Sequence, residues 1–268
     1  MLELIQITND PAFARRCDAL EGMRVWVDLE RLGKAQRQAG RNTFLSTHVM
    51  GDVGRIRDAV RRSRLMVRVN PLNPESRDEV DAVLSQGADL LMLPMFSTPG
   101  ELSEFSVLVG GRAPIVPLLE TAAALDCLDE WIATPGLGEI YVGLNDLHIS
   151  MGLRFMFEPL ALGMVDQVAT AAKRQGLPFG FGGVARLDEG LLSGRDVLAE
   201  HLRLGSSAVI LSRTFNRDGP GTGFEEQVAA LRGMEGTLAA RDAGAVLADT
   251  QRIAATIREI AKNAGGGA

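Results

Sequence analysis

Short runs of consecutive apolar residues recur along the chain, and a turn and a segment with helical spacing follow each run. Strands that helices cover on both faces have this unbroken apolar pattern, whereas half-exposed strands alternate. The sequence therefore predicts eight buried strands separated by helices. The predicted strands are Leu4–Ile7, Val25–Leu29, Leu65–Val69, Leu90–Leu93, Ile115–Leu119, Ile140–Val142, Phe179–Phe181 and Ala208–Leu211.

The segments between these runs carry clear helix signals. Thr98-Pro99-Gly100-Glu101 combines an N-cap Thr, Pro at the first helical position and Glu at the third, which is a capping box. Asn73-Pro74-Glu75 opens another helix, and Gly87 closes it. Eight strand–helix units predict a (β/α)8 TIM barrel, an α/β fold. A doubly wound open sheet is the alternative, but it usually has fewer strands, and no GxGxxG motif follows a strand.

Two segments fall outside the regular repeat. The run Thr43–Thr47 is polar at alternate positions, and we interpret it as an ordered part of a long connection. Residues 1–217 are predicted to form the barrel. Residues 218–268 are predicted to form a C-terminal helical extension, with helices at about Glu225–Gly233 and Asp242–Lys262, that packs on the barrel or on a neighbouring subunit.

Composition excludes several classes of protein. The 268 residues include 28 Lys+Arg and 34 Asp+Glu, which gives a net charge of -6, and the pI of about 5.2 argues against a general nucleic-acid binder. Charges interrupt every apolar run before it could cross a membrane, and the first residues do not resemble a signal peptide. Two isolated cysteines suggest free thiols, so we expect a cytoplasmic protein without nucleic-acid or membrane partners.

The active site of a barrel of this type forms at the carboxyl ends of the strands, where the polar residues are read first. Glu120 and Asp146 follow adjacent strands and offer hard oxygen ligands suited to Mg²⁺ or Mn²⁺, or to another divalent cation. The alternative is that Glu120 caps a helix and Asp146 makes a turn. Asn145, beside Asp146, is a candidate for contacting the substrate.

Candidate catalytic residues accompany these acids. Arg68 interrupts the apolar run Leu65–Val69, either as a clamp for a substrate carboxylate or as a structural ion pair with Asp28 or Glu30. Asp28 and Glu30 end the second strand and join the catalytic candidates. His48 is a candidate general base, acting through metal-bound water, or else a surface residue.

Two glycines after the seventh strand form a further candidate binding element. Gly182 and Gly183 could present backbone N–H groups to an anionic substrate, with Arg213 after the eighth strand assisting. The alternative is a tight turn that requires glycine.

The strand-end motifs resemble the HpcH/HpaI aldolase and citrate lyase β-subunit superfamily, in order from Val25 to about Phe215. The resemblance implies a (β/α)8 barrel with a divalent metal held by Glu120 and Asp146, and Arg68 facing the substrate carboxylate and enolate oxygen. It also implies a homo-oligomer, a trimer or hexamer, in which C-terminal helices pack across subunits. The motifs are Asp28-Leu29-Glu30, Val67-Arg68-Val69-Asn70-Pro71, Leu93-Pro94, Leu119-Glu120-Thr121 and Gly143-Leu144-Asn145-Asp146-Leu147.

The chain departs from both main branches of this superfamily. Pyruvate aldolases carry a catalytic His directly after the strand-2 glutamate, where this chain has Arg31. The citrate lyase branch has an acid at that position and a Lys after the strand-4 Pro, where this chain has Met95. We predict a metal-dependent carbon–carbon lyase or aldolase acting on a 2-oxo acid. The alternatives are an acyl-CoA lyase or thioesterase of the citrate lyase/malyl-CoA type, and a non-catalytic binding or assembly barrel.

Overall fold

Eight parallel strands form a closed barrel, in the order β1 to β8, in this computed structural model, which describes residues 1–34, 46–217 and 223–264. The alternation of strand and helix confirms the predicted (β/α)8 TIM barrel followed by C-terminal helices. The strands are β1 (Glu3–Ile7), β2 (Met23–Asp28), β3 (Arg64–Arg68), β4 (Leu90–Leu93), β5 (Ile115–Leu119), β6 (Ile140–Val142), β7 (Phe179–Val184) and β8 (Ala208–Leu211).

Twelve α-helices lie wholly within the described residues, and a short 3-10 helix, Arg213–Asn216, follows β8. No helix in this part of the chain is long and apolar enough to cross a membrane. The helices are α1 (Pro11–Asp18), α2 (Met50–Ala59), α3 (Ser76–Ser85), α4 (Pro99–Val109), α5 (Ala122–Asp126), α6 (Leu128–Trp131), α7 (Leu144–Ser150), α8 (Glu158–Ala161), α9 (Met164–Gln175), α10 (Gly194–Leu204), α11 (Phe224–Ala239) and α12 (Ala243–Ala264).

The helix signals in the sequence act as expected. Thr98 caps α4 by accepting a hydrogen bond from the N–H of Glu101 at 3.3 Å, while the Glu101 carboxylate accepts from the N–H of Thr98 at 2.9 Å. Gly110 ends the same helix with φ +61°, and Gly87 follows α3 with φ +93°. Both glycines adopt the left-handed conformation that other residues avoid, so they stop their helices at defined positions.

The chain divides into two compact units, one formed by Ile5–Tyr141 and the other by Met1–Leu4 together with Val142–Ala268. The predicted boundary between residues 217 and 218 borders residues 218–222, which lie outside the described residues, and it stays a prediction. Of the predicted ordered run Thr43–Thr47, residues 43–45 also lie outside them. Ser46 and Thr47 belong to no regular element.

Within the first unit, the register of β2 on β3 decides which side chains meet. Every residue of β2 is buried, which agrees with its apolar run. The pairing places Val25 beside Leu65 and, at the carboxyl ends, Asp28 beside Arg68. The two charged residues therefore lie next to each other where the predicted site begins.

Within the second unit, the C-terminal helices pack on barrel helices of the same chain. Helix α12 contacts α8 and α10, and its buried face repeats at Ile253, Ile257 and Ala261. Both C-terminal helices exceed their predicted bounds, because α11 continues to Ala239 and α12 to Ala264. A trimer or hexamer stays a prediction.

A histidine on α10 belongs to the core of this unit. His201 is fully buried, and its ring stacks on that of Phe181 with centroids 3.7 Å apart. Its Nδ1 lies 2.8 Å from the Ser206 hydroxyl. Burial lowers the pKa of His201 to about 3, so the ring is neutral at neutral pH and serves as a packing group.

Candidate active site

Arg68 and Asp28 form a buried ion pair across β2 and β3. Arg68 Nε donates to Asp28 Oδ1 at 2.8 Å, and Nη2 donates to Oδ2 at 2.7 Å. This two-point contact fixes the plane of the guanidinium. The face of that plane lies over the Trp26 ring, with Cζ 4.9 Å from the centroid. The structural ion pair that the sequence allowed for Arg68 is therefore present.

Glu30 and Lys34 complete this cluster, which we call the Asp28 cluster (Asp28, Glu30, Lys34 and Arg68). Arg68 Nη1 lies 3.2 Å from Glu30 Oε2. Lys34 Nζ lies 2.9 Å from Asp28 Oδ2 and 3.3 Å from Glu30 Oε2. All four side chains are at most 11% exposed, so two carboxylates and two cations are held together away from water.

Charge balance within the cluster sets its protonation. Burial on its own disfavours ionised Asp28, but the charges of Arg68 and Lys34 and their hydrogen bonds outweigh burial and hold the pKa of Asp28 well below its usual range. Burial likewise opposes the charge of Arg68, but Asp28 and Glu30 overcome it and raise the pKa of Arg68. At neutral pH the Asp28 carboxylate is ionised and its oxygens hold two cations, so it is poorly suited to accept a proton.

The His48 ring contacts the backbone of Asp28. It is 5% exposed, so the alternative that it is a surface residue is wrong. Its Nδ1 accepts a hydrogen bond from the backbone N–H of Asp28 at 3.0 Å, which leaves the proton of the neutral ring on Nε2. The pKa of His48 is lowered, mainly because the ring is buried. The charge of Asp28 opposes this shift, and the charge of Lys34 adds to it. This ring presents a donor at Nε2, and its role as a general base stays a prediction.

Arg31, at the position where the resemblance implied a histidine in pyruvate aldolases, tethers the segment after β2. Its backbone N–H and that of Leu32 donate to Asn70 Oδ1 at 2.8 and 3.0 Å. Its guanidinium donates from Nη2 to the carbonyl of His48 at 2.9 Å. Asn70 Nδ2 in turn donates to Glu79 Oε1 at 2.8 Å, which sets which way the amide points. The segment that carries Glu30 and Lys34 is thus fixed to the end of β3 and to α3.

Glu120 follows β5 and is 2% exposed. Its Oε1 accepts a hydrogen bond from the backbone N–H of Met95 at 3.0 Å. Met95 has φ +58°, a conformation that costs energy in a residue other than glycine. The charge of Glu120 also favours the charged form of Arg68 and so raises the pKa of Arg68.

The helix after Glu120 is capped by Thr121, whose hydroxyl accepts a hydrogen bond from the N–H of Ala124 at 3.1 Å. The alternative cap role of Glu120 is therefore taken by its neighbour.

Asn145 and Asp146 lie in the first turn of α7, in the second unit. Both side chains are half-buried. No hydrogen-bond or ion-pair partner is found for the Asp146 carboxylate among the described residues. Its position at the start of a helix places it where an acid is favoured by the helix dipole.

Gly182 and Gly183 lie inside a strand, because β7 continues to Val184 and does not end at Phe181. A register shift between Gly180 and Gly183 bulges the strand, and Gly182 has φ +53°. The alternative of a turn after the strand is therefore wrong. The role of both glycines in binding substrate stays a prediction. Arg213 is exposed at the start of the 3-10 helix, and its binding role also stays a prediction.

The sequence analysis did not identify two charged residues of the first unit that form buried ion pairs. Lys34 is part of the Asp28 cluster, and its spacing of four residues from Glu30 was the only signal for it. Arg24 is the second residue of β2, and its Nη2 contacts Glu139 Oε2 at 2.6 Å, with both side chains buried. The predicted run began one residue later, at Val25, so Arg24 was not recognised as a charge within a strand.

The described residues contain no group of three or more His, Cys, Asp or Glu side chains that could hold a metal ion. The sequence predicts two protein ligands, Glu120 and Asp146, and that prediction is not tested by this finding.

The sequence profile of the HpcH/HpaI aldolase/citrate lyase family matches residues 24–186, which is more than half of the chain. The chain therefore belongs to the HpcH/HpaI aldolase/citrate lyase family, as the strand-end motifs indicated. Aldolases, lyases and related enzymes make up this family.

Relatives of known structure or assigned activity are more distant. A (3S)-malyl-CoA thioesterase from Cereibacter sphaeroides is 33% identical over 106 residues, which cover 39% of this chain and 36% of that protein. Two solved structures resemble the chain. An HpcH/HpaI aldolase from Desulfitobacterium hafniense is 16% identical, with a TM-score of 0.60 over 90% of this chain and 94% of that one. A protein of the aldolase/citrate lyase family from Burkholderia cenocepacia is 17% identical, with a TM-score of 0.61 over 87% and 94%. At these identities, the structural likeness shows the fold.

Proposed function

We propose that this protein is a divalent-metal-dependent carbon–carbon lyase or aldolase that acts on a 2-oxo acid. The observation that carries the proposal is the buried Arg68, whose guanidinium Asp28 holds in a fixed plane at a strand end, with the charge of Glu120 favouring its charged form. A rigid guanidinium at the carboxyl end of a barrel strand is suited to an anionic substrate.

The metal that the family implies is Mg²⁺, Mn²⁺ or another divalent cation, and the residues fit it. Glu120 offers a carboxylate whose orientation the Met95 N–H fixes, and the half-buried Asp146 carboxylate has no partner among the described residues. Ionised carboxylates are the ligands that Mg²⁺ prefers. When bound, such a cation supplies Lewis-acid stabilisation of the negative charge on the substrate oxygens. We propose Glu120 and Asp146 as its ligands from their motifs.

Arg68 is proposed to bind the carboxylate of the 2-oxo acid and to face the enolate oxygen. An arginine has five N–H groups, and the three nitrogens of Arg68 each contact an acid of the Asp28 cluster. Each Nη atom carries a second N–H for which no partner is found among the described residues, and we propose that these N–H groups bind the anion. Since the guanidinium plane is already fixed, binding costs little further ordering.

The proton that is exchanged next to the 2-oxo group requires a base, and His48 is the candidate. Its Nδ1 is occupied by the Asp28 N–H, so only Nε2 could take part. Because the neutral ring holds its proton at Nε2, His48 in this tautomer donates a hydrogen bond and does not accept a proton. To act as the base, the ring would have to carry its proton on Nδ1 and give up the hydrogen bond from the Asp28 N–H. The pKa of His48, which burial lowers, favours the neutral form at neutral pH.

The test is the exchange of the methyl protons of pyruvate for deuterium in D₂O with Mg²⁺, followed by proton NMR. We expect exchange with the wild-type protein and at least a tenfold loss in Glu120→Gln, which removes the charge of one ligand. Glu130→Gln, at an exposed position on α6, is the matched control and should exchange normally. If the wild-type protein shows no exchange of the methyl protons and calorimetry detects no Mg²⁺ binding, the proposal is overturned.

An acyl-CoA lyase or thioesterase is the second candidate, and the similarity to a (3S)-malyl-CoA thioesterase favours it. Saturation-transfer NMR with CoA separates the two, because only this candidate requires contacts along the nucleotide. A non-catalytic binding barrel is the third candidate. Unchanged metal and oxalate affinity in Glu120→Gln would favour it.

A further inference from the structure

Lys34 is the one member of the Asp28 cluster that the proposed mechanism does not use. Its ammonium lies 2.9 Å from Asp28 Oδ2 and 3.3 Å from Glu30 Oε2, and its side chain is 5% exposed. Ordering and burying a lysine costs both side-chain entropy and desolvation. The interactions of this lysine with the two acids must therefore offset the cost of burying it.

The contacts within the cluster match two acids with two cations. Arg68 spans both acids, since Nε and Nη2 contact Asp28 and Nη1 contacts Glu30. Without Lys34, this single guanidinium would face two carboxylates. Its positive charge would then be cancelled, and the two acids would leave a net negative charge beside any bound anion.

Lys34 reverses that balance through contacts with the two acids and not with Arg68. Its contacts are with Asp28 Oδ2 and Glu30 Oε2, the same oxygens that Nη2 and Nη1 of Arg68 approach. Each of these oxygens therefore shares its charge between two cations. The cluster as a whole becomes neutral, and an anion at Arg68 meets no excess negative charge from it.

We propose that Lys34 is a positioning residue that neutralises Asp28 and Glu30, so that Arg68 keeps its positive charge available to an anionic substrate. This inference rests on the proposed function, in which Arg68 binds the substrate carboxylate. Sequence motifs had pointed to Asp28, Glu30 and Arg68, but the cluster is balanced only when Lys34 is included.

The test uses calorimetric titration of oxalate in the presence of Mg²⁺, with the metal affinity measured separately. Lys34→Met keeps most of the side-chain volume and removes the charge. We expect it to weaken oxalate binding about 10- to 50-fold, because one unbalanced charge acts on the anion at short range in a partly buried site. Lys173→Met, at an exposed position on α9, is the matched control and should bind like the wild type.

A second substitution separates charge balance from a purely structural role. In Lys34→Met/Glu30→Gln the cluster again has equal numbers of acids and cations, and we expect oxalate affinity to recover to within about fivefold of the wild type. If Lys34 acted only through the packing of its side chain, neutralising Glu30 would not restore the affinity. An affinity that stays as low in the double variant as in Lys34→Met would overturn the proposal, and so would an unchanged affinity in Lys34→Met.

If the wild-type protein binds neither Mg²⁺ nor oxalate, the proposed function fails, and urea unfolding of the metal-free protein tests the charge balance by itself. Lys34→Met should lower the midpoint of unfolding, and adding Glu30→Gln should raise it again. A double variant whose midpoint is as low as, or lower than, that of Lys34→Met would contradict the role of Lys34 independently of any ligand.

Discussion

Both carboxylate oxygens of Asp28 accept hydrogen bonds from Arg68, at 2.8 and 2.7 Å, and the two residues are register partners on β2 and β3. The contact is therefore a property of the strand pairing. It aligns a charged group on a rigid part of the barrel, and it depends on Asp28 as much as on Arg68.

Arg68→Met should lower the free energy of unfolding by about 3–5 kcal/mol, because it leaves two buried acids with only Lys34 as a cation. Urea denaturation at pH 7 measures the loss. Arg112→Met is the control, since its ion pair with Asp81 is about half exposed on both sides and should be worth less than about 1 kcal/mol. Equal losses in the two variants would contradict the buried pairing.

His201 makes the stability of the protein depend on acid. The pKa of His201 is lowered to about 3 in the folded protein and is about 6.5 in the unfolded chain, so between these values only the unfolded chain binds the proton. Stability therefore falls as the pH falls below about 6.5, by up to about 1.4 kcal/mol per pH unit. Urea unfolding at several pH values between 7 and 4 should give a shallower dependence for His201→Gln than for the wild type. Parallel curves would rule out this source of acid sensitivity.

Gly182→Ala should destabilise the protein by about 1–3 kcal/mol. Gly182 has φ +53°, and an added Cβ would lie 2.8 Å from Cδ1 of Leu144. Gly236→Ala is the matched control, because Gly236 lies on α11 with no atom within 4 Å of the added Cβ. It should be neutral or stabilising by up to about 1 kcal/mol. Thermal unfolding compares the two, and a Gly182→Ala variant as stable as the wild type would show that the bulge can relax.

Asn70→Asp should weaken the tether of the segment after β2. The new carboxylate can still accept the N–H groups of Arg31 and Leu32, but it faces Glu79, whose pKa burial already raises. We expect a loss of about 1–3 kcal/mol at pH 7 that shrinks as the pH falls and Glu79 takes up a proton. In Asn70→Asp/Glu79→Gln the free energy of unfolding, measured with urea, should return largely to that of the wild type. A loss that does not change with pH would argue against repulsion between the two acids.

The apolar runs predicted all eight strands, because a strand covered on both faces has no reason to alternate. The ends of the strands were harder to place. Residues Gly182 and Gly183 were predicted to follow β7, since glycine usually marks a turn, but here a bulge keeps them within the strand. Periodicity does not distinguish these cases, because a bulge depends on the neighbouring strand.

The individual site residues were predictable as types but not as partners. Arg68 stood out as a charge in an apolar run, and its two possible partners were both identified. The contribution of Lys34 depends on the path of the segment after β2, which the tether of Asn70 to Arg31 and Leu32 determines. Contacts of this kind join residues far apart in sequence, and no local pattern encodes them.

The contacts of Arg31 also bear on what a histidine at this position would require. Its backbone and side chain are both committed, to Asn70 and to the His48 carbonyl, so the residue acts as a brace. A histidine placed there would lose the brace to the His48 carbonyl, in a segment whose shape now depends on it. Replacing Arg31 by histidine alone would therefore supply an imidazole without preserving the segment that has to hold it. Introducing the aldolase histidine into this chain is a problem of loop design as much as of catalysis.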